Sequence, residues 1–422
     1  MKKFWVKFTL VITVLLGLGL PHQVLAASTL DVNARAALAI DAKSGQVLYA
    51  KNADQALPIA SMTKMVGIYL VLDAIKSGKL SWDQEVPVDA LSYRISQNTN
   101  LSNVPLRADG KYTVKALYQA ALISSANAAM MLLGDALSGN QAQFIAAMQN
   151  QLHKWGIKDA TIVNSTGLNN SELGKDIVAG TGATAENSMS ARSVAIVAQR
   201  LITDFPEVLQ TTKIPKLKFA SGNSDNTMME NFNHMLPGLS SYDPSLPVDG
   251  LKTGTTDLAG ANFTGTVSKN GLRLITVVMH ANGPDHEVRF SQTAQLMKYV
   301  YGEYVPVTVF KAGTSVGPKQ QIAVKRGTQA RVTIAPAQSM TIYLPKSTPV
   351  QYQYTATKQS VSAPATAGTR VGTMSLAGDA SYLTTVSGQR LSVPMTTQKT
   401  VKKTNVFVLI WRGIVEFFSH LF

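Results

Sequence analysis

The 422-residue chain contains no cysteine. Disulfides, thiol nucleophiles and cysteine metal sites are therefore excluded. Zinc-peptidase chemistry of the HExxH type is missing too: at His286-Glu287, where such a motif could begin, position 290 is Phe290 instead of histidine. No GxSxG elbow surrounds Ser61, and nothing resembles a phosphate-binding glycine loop. These absences predict neither metal nor cofactor. Acidic residues are scarce in one region only. Residues 27–304 balance 23 basic against 23 acidic side chains, whereas residues 305–398 set nine basic residues against the single acid Asp379. The formal net charge of +14 is thus concentrated away from the first domain. In an exported protein such a charge points to anionic lipid or wall polymer rather than nucleic acid.

Export is read from the start of the chain. Lys2, Lys3 and Lys7 precede an apolar run from Phe8 to Leu20, and Val24-Leu25-Ala26 offers small residues for a signal peptidase. The expected division is a signal peptide at 1–26, a main domain at 27–304, a β-rich domain at 305–398 and a terminal helix at 399–422.

The stretch Pro58 to Ile75, PIASMTKMVGIYLVLDAI, is apolar nearly all round and reads as a helix running through a core. Ser61 stands in its first turn and Lys64 three residues later, which places the hydroxyl and the amine on one face, roughly 5–6 Å apart at Cβ. Asp73 is more than two turns away, so Lys64 lacks a partner within the helix and is expected to titrate low through desolvation. A neutral amine beside a serine is a general base. An isolated SxxK is more often a capping serine followed by a lysine that reaches solvent, so other motifs must decide.

Two such motifs follow. Between helical patterns running from the N-cap Thr113 to Leu122 and from Met130 to Leu137, the chain breaks at Ser124-Ser125-Ala126-Asn127, which puts the SxN of Ser125 at a helix junction. The same SxN pattern at Ser96, Ser138 and Ser221 reads as polar turns. Further helices are expected from Gln141 to Trp155 behind Asn140, from the cap Ser190 to Thr203, and from Glu287 to Tyr301. A hairpin from Ala36 to Asn52 precedes this helical block, and strands Val248 to Thr256, Ala261 to Lys269 and Leu272 to His280 follow it, the last two joined by Asn270-Gly271. The first of these strands carries Lys252-Thr253-Gly254. The fold class is therefore α+β: an antiparallel sheet with an inserted helical block. Beyond Tyr304, the runs VPVTVF, QQIAVK, ARVTIA, MTIYL and VQYQY predict a small all-β sandwich or barrel.

An SxxK, an SxN and a KTG in this order, each in its expected setting, form a strong joint signal. The chain resembles the penicillin-recognising serine enzymes, and more closely the low-molecular-mass penicillin-binding proteins, which are D-alanyl-D-alanine carboxypeptidases with a β-rich domain and an amphipathic anchor. The likeness extends through NSTGL (Asn164 to Leu168), MSARSVAIVAQRLI (Met189 to Ile202), ENFNHML (Glu230 to Leu236) and DGLKTGTT. It implies Ser61 as nucleophile, Lys64 as base, Ser125 as proton relay aided by Lys252, Asn127 as holder of the acyl amide and Thr253 as carboxylate ligand. It also implies an oxyanion hole from the N–H groups of Ser61 and Thr255, with Gly254 on the same substrate-binding strand. An arginine that the family often supplies for the carboxylate has no clean match; His286 and Arg289 are the two candidates. The implied partners are a peptidoglycan stem peptide ending in D-Ala-D-Ala, β-lactam inhibitors and the outer face of a bacterial cytoplasmic membrane.

Rival readings are a β-lactamase, a DD-endopeptidase and an inactive wall-binding scaffold. The first is disfavoured because no ExxLN segment is present, and the last because every motif residue is intact. Residues 401–422 read as an amphipathic helix lying in the membrane surface, since Arg412 and Glu416 interrupt an otherwise apolar segment and Lys402 and Lys403 precede it.

Overall fold

A computed structural model describes residues 30–219, 227–315, 320–346, 351–377 and 392–419. The signal segment, Ser221, Asp379 and the last three residues lie outside the described residues. The first sheet has five antiparallel strands in the order Val47–Lys51, Ala34–Asp41, Leu272–Ala281, Gly260–Lys269 and Val248–Thr256. The earliest strand pairs with one of the latest, Ala37 opposite Val278, so the helices between residues 51 and 248 are an insertion into one sheet. Asn270 and Gly271 have φ of 53° and 80°, the left-handed pair that a two-residue hairpin needs to match strand twist.

Ala36 through Ile40 are fully buried at consecutive positions. That pattern marks a strand covered on both faces, and helices Ala191–Asp204 and Val288–Glu303 both pack on the sheet. The central helix is Lys64–Lys76 and is surrounded by helices Val114–Ile123, Asn127–Ser138, Gln141–Lys154 and Ala191–Asp204. Its aromatic Tyr69 is wedged edge-on between Trp155 and Phe205, 4.6 and 5.0 Å between centroids. Side-chain caps define the helix starts: Thr113, Asn140 and Ser190 each accept from the backbone N–H three residues on. Two helices, Ala90–Gln97 and the short Val208–Thr212, were not expected from the sequence; Asp89 caps the first through Ser92.

The second region is all-β and forms a half-barrel. Strands Tyr304–Phe310 and Met340–Pro345 pair with each other. A six-stranded sheet is built from Gln351–Ala356, Arg370–Ala377, Ser392–Thr397, Arg331–Pro336, Gln321–Lys325 and Ser360–Ser362 in that order. Its core includes Phe310, Ile334, Val371, Val393 and Met395. Three of these strands, starting at Ser360, Arg370 and Ser392, escaped the sequence reading, which saw only the more strongly β-branched runs. The domain is tied to the first hairpin by polar contacts: Gln46 donates to the Tyr343 carbonyl at 2.6 Å, and the Tyr304 hydroxyl to that of Leu48 at 2.6 Å.

The terminal helix spans Val406–Ser419, starting five residues later than the sequence predicts. Val401 is buried in the β-domain core and bridges Ala365, and Lys403 bridges Gly327. Along the helix Phe407, Ile410, Trp411, Ile414 and Val415 are exposed, whereas Arg412 donates to the carbonyls of Gly327 and Thr328. Among the described residues, no helix is long and apolar enough to cross a membrane.

Candidate active site

Ser61 sits in the 3₁₀ turn Ala60–Thr63 that leads into the central helix. Ala60 adopts a left-handed φ of 47°, a conformation that non-glycine residues take only when their surroundings impose it. Lys64 opens the α-helix and is fully buried. Its Nζ contacts Ser61 Oγ at 2.7 Å, Asn127 Oδ1 at 2.7 Å and the Thr166 carbonyl oxygen at 2.9 Å. No carboxylate is among these partners. Burial holds the amine well below the usual lysine range, and the charge of Lys252 pushes it further the same way. In its neutral form the amine can spend two N–H bonds on Asn127 and Thr166 and keep its lone pair for the Ser61 hydroxyl proton.

Asn127 is aimed by the loop before it. Its backbone N–H and its side-chain amide both donate to the Ser102 carbonyl, leaving Oδ1 directed at Lys64. Asn103, from the same loop, accepts from Ala128 N–H and donates to the Ile95 carbonyl. Ser125 lies at the junction of helices Val114–Ile123 and Asn127–Ser138, buried, with φ of 57°. The other SxN serines that are described are not in the polar turns expected of them but at helix ends: Ser96 lies in the last turn of Ala90–Gln97, its hydroxyl donating to the Tyr93 carbonyl, and Ser138 closes Asn127–Ser138.

The strand Val248–Thr256 brings the third motif alongside. Gly254 packs against the Ile59 carbonyl, where a side chain would not fit. Lys252 is buried, donates to the Thr253 carbonyl at 3.2 Å, and is lowered to about 7, chiefly by burial and then by Arg289. Of the two cationic candidates for the carboxylate, His286 is exposed and Arg289 is buried. Arg289 donates to the carbonyls of Gly254 at 3.2 Å and Asn262 at 3.1 Å, which puts its guanidinium beside the KTG strand. Thr253 is nearly buried and Thr255 is exposed at the strand's open edge.

The loop Asn164 to Leu168 supplies what the motif reading did not assign. Asn164 Oδ1 accepts from the N–H groups of Thr166 and Gly167, and its amide donates to the Leu168 carbonyl. The resulting turn directs the Thr166 carbonyl at Lys64. Asn187 ties this turn to the 3₁₀ turn of Ser61, donating to both the Asn164 carbonyl and Thr63 Oγ1. A backbone carbonyl leaves no signature in sequence; the run of short polar residues in NSTGL was the available hint. Among the described residues no cluster of His, Cys, Asp or Glu is arranged to hold a metal ion.

Comparison with known proteins agrees with this geometry. The family model described as D-alanyl-D-alanine carboxypeptidase matches residues 23–283, and that of the penicillin-binding protein 5 C-terminal domain matches residues 304–403. The D-alanyl-D-alanine carboxypeptidase DacC of Escherichia coli is 28% identical over 354 residues, covering 82% of this chain and 80% of that protein. The crystal structure of a peptidoglycan synthesis regulatory factor (PBP3) from Streptococcus pneumoniae superposes with a TM-score of 0.73 at 34% identity, covering 88% of this chain and all of that one. Penicillin-binding protein 5 of Haemophilus influenzae shares the fold, with a TM-score of 0.70 at 24% identity over 89% of this chain and 100% of that chain. A serine hydroxyl 2.7 Å from a buried lysine amine, a KTG strand beside it and family models matching residues 23–283 and 304–403 lead to one conclusion: the chain belongs to the D-alanyl-D-alanine carboxypeptidase family of low-molecular-mass penicillin-binding proteins.

Proposed function

We propose that the enzyme, a serine-type D-Ala-D-Ala carboxypeptidase, removes the terminal D-alanine of peptidoglycan stem pentapeptides through an acyl-enzyme on Ser61. The observation that carries this is the 2.7 Å contact between Lys64 Nζ and Ser61 Oγ, with the amine buried and, among the described residues, without a carboxylate partner. In the first step Ser61 Oγ attacks the penultimate D-alanine carbonyl and its proton passes to Lys64. The oxyanion is held by the N–H groups of Ser61 and Thr255, where losing one such donor typically costs about 3 kcal/mol. The C–N bond then breaks, the leaving amine takes a proton through Ser125 and Lys252, and an ester remains. Water attacks that ester in the second step, with Lys64 again accepting the proton. Asn127 holds the acyl amide, while Thr253 and Arg289 take the terminal carboxylate, Arg289 being supported over His286 by its burial beside Gly254.

β-Lactams would acylate the same serine and remain there, since no ExxLN glutamate is available to activate water. This separates the reading from a β-lactamase. The intact Lys64 contacts separate it from a dead scaffold. Export by residues 1–26, the proposed domains at 27–304 and 305–398, and attachment to the membrane surface through the terminal helix complete the reading. The exposed apolar residues of that helix support the last point. The decisive experiment is D-alanine release from a pentapeptide by purified protein, together with intact-mass detection of a penicillin adduct. Both should vanish in Ser61→Ala; an adduct retained in that variant would remove the central claim.

A further inference from the structure

Glu186 is an acidic side chain that reaches the strand Val248–Thr256 from another element and that the reaction leaves unused. It lies on the segment between the 3₁₀ turn Asn170–Glu172 and the helix Ala191–Asp204. One oxygen accepts from Thr256 Oγ1 at 2.6 Å and the other from Asn169 Nδ2 at 3.1 Å. Thr256 Oγ1 already accepts from Ala259 N–H, which commits its own proton to Glu186. The next residue, Asn187, accepts from the backbone N–H of Ile59, two positions before the nucleophile. The carboxylate is therefore fixed between the KTG strand and the turn that carries Ser61. It is half-buried, and among the described residues no lysine, arginine or histidine pairs with it. A carboxylate oriented by two neutral donors keeps lone pairs for a further, charged one.

The direction of the substrate follows from the proposed function, on which this inference rests. With the terminal carboxylate at Thr253 and the scissile carbonyl at the Thr255 N–H, the stem peptide runs antiparallel to the strand, and each earlier residue advances it by roughly 3.4 Å. The third stem residue, immediately before the reacting D-alanine, then lies at Thr256 and Asp257. We infer that Glu186 is a specificity subsite for a third stem residue bearing a primary ammonium group, which Glu186 binds through its free lone pairs.

Two pentapeptides identical except for L-lysine or Nε-acetyl-L-lysine at the third position test this with the full-length protein. The wild type should prefer the lysine peptide in kcat/KM by about tenfold, the size expected of one charge-assisted hydrogen bond at a half-exposed site. Glu186→Gln should bring the ratio close to one, and Glu186→Lys should invert it. The ratio is the readout because a carboxylate that merely clamps the loop would lower both rates and leave the ratio in place; that outcome overturns the subsite, as does a wild-type ratio near one. Release of D-alanine from neither peptide by the wild type would instead overturn the carboxypeptidase reading, and the subsite with it.

Discussion

Gly167 lies directly against Ala60, the residue that precedes Ser61. A Cβ on Gly167 would overlap the Ala60 carbonyl and come within 2.9 Å of the Ser61 nitrogen. Both residues are left-handed, with φ of 84° and 47°. The loop that offers the Thr166 carbonyl to Lys64 therefore also forms the surface on which the Ser61 turn rests, and only a residue without a side chain permits both.

Gly167→Ala should accordingly damage the site more than the fold. The strain of a left-handed alanine and the overlap with backbone together should cost about 1–3 kcal/mol of stability. Penicillin acylation should slow by at least about a hundredfold, since small displacements of a reacting group cost that much. Fluorescent-penicillin labelling against time, beside a thermal melt, would check it; wild-type labelling with a lowered Tm would show that the contact is only structural.

Lys64→Arg should lose about two to four orders of magnitude in acylation, because a guanidinium stays protonated and cannot act as base. Burial, and then the charge of Lys252, hold Lys64 well below the usual lysine range, so acidification should charge it and the acylation rate should fall. Lys252, lowered to about 7, gains its charge over the same range. A wild-type rate in Lys64→Arg would assign the base elsewhere.

Asp135 offers a test of stability against pH. Its carboxyl is pushed up to about 6 by burial, although Gln141 donates to it at 2.8 Å and opposes the shift. The folded protein holds this proton more tightly than the unfolded chain, so the group costs nothing below its ordinary range and its cost grows as pH rises towards 6. Asp135→Asn keeps an acceptor for Gln141 and should raise stability by about 1–2 kcal/mol at pH 7.5, after allowance for partial solvent screening. The gain should disappear near pH 4 in paired denaturation curves.

Removal of residues 406–422 should release the protein from membranes while leaving hydrolysis of a small soluble ester intact. Starting the deletion at residue 401 should in addition lower the Tm, because Val401 is buried in the β-domain core and bridges Ala365. Fractionation and melting of the two truncations would separate anchoring from folding. Persistence of the shorter deletion on membranes would end the anchor proposal.

The motif positions of the candidate site were readable in the sequence because they depend on local spacing. Ser61 and Lys64 share a helical face by their separation alone, and Ser125 falls at a junction that two helical patterns define. The strands from Val248, Gly260 and Leu272 announced themselves by composition and by Asn270-Gly271. The helix Ala90–Gln97 did not, since its pattern is short and polar, and neither did the later β-strands, where weakly apolar segments become strands only by pairing with neighbours.

What the sequence determined by itself is what depends on neighbours along the chain: the order of motifs, the starts of helices, the missing cysteine and the helical-face pairing of a serine with a lysine. The tertiary structure decided which distant groups meet. Asn127, 63 residues from Lys64, and Thr166, 102 residues away, complete the amine's contacts. Arg289 rather than His286 reaches the KTG strand. Glu186 comes to Thr256 across 70 residues. Such contacts are set by packing between elements, and a backbone carbonyl or a carboxylate held by two neutral donors has no spacing of its own to reveal it.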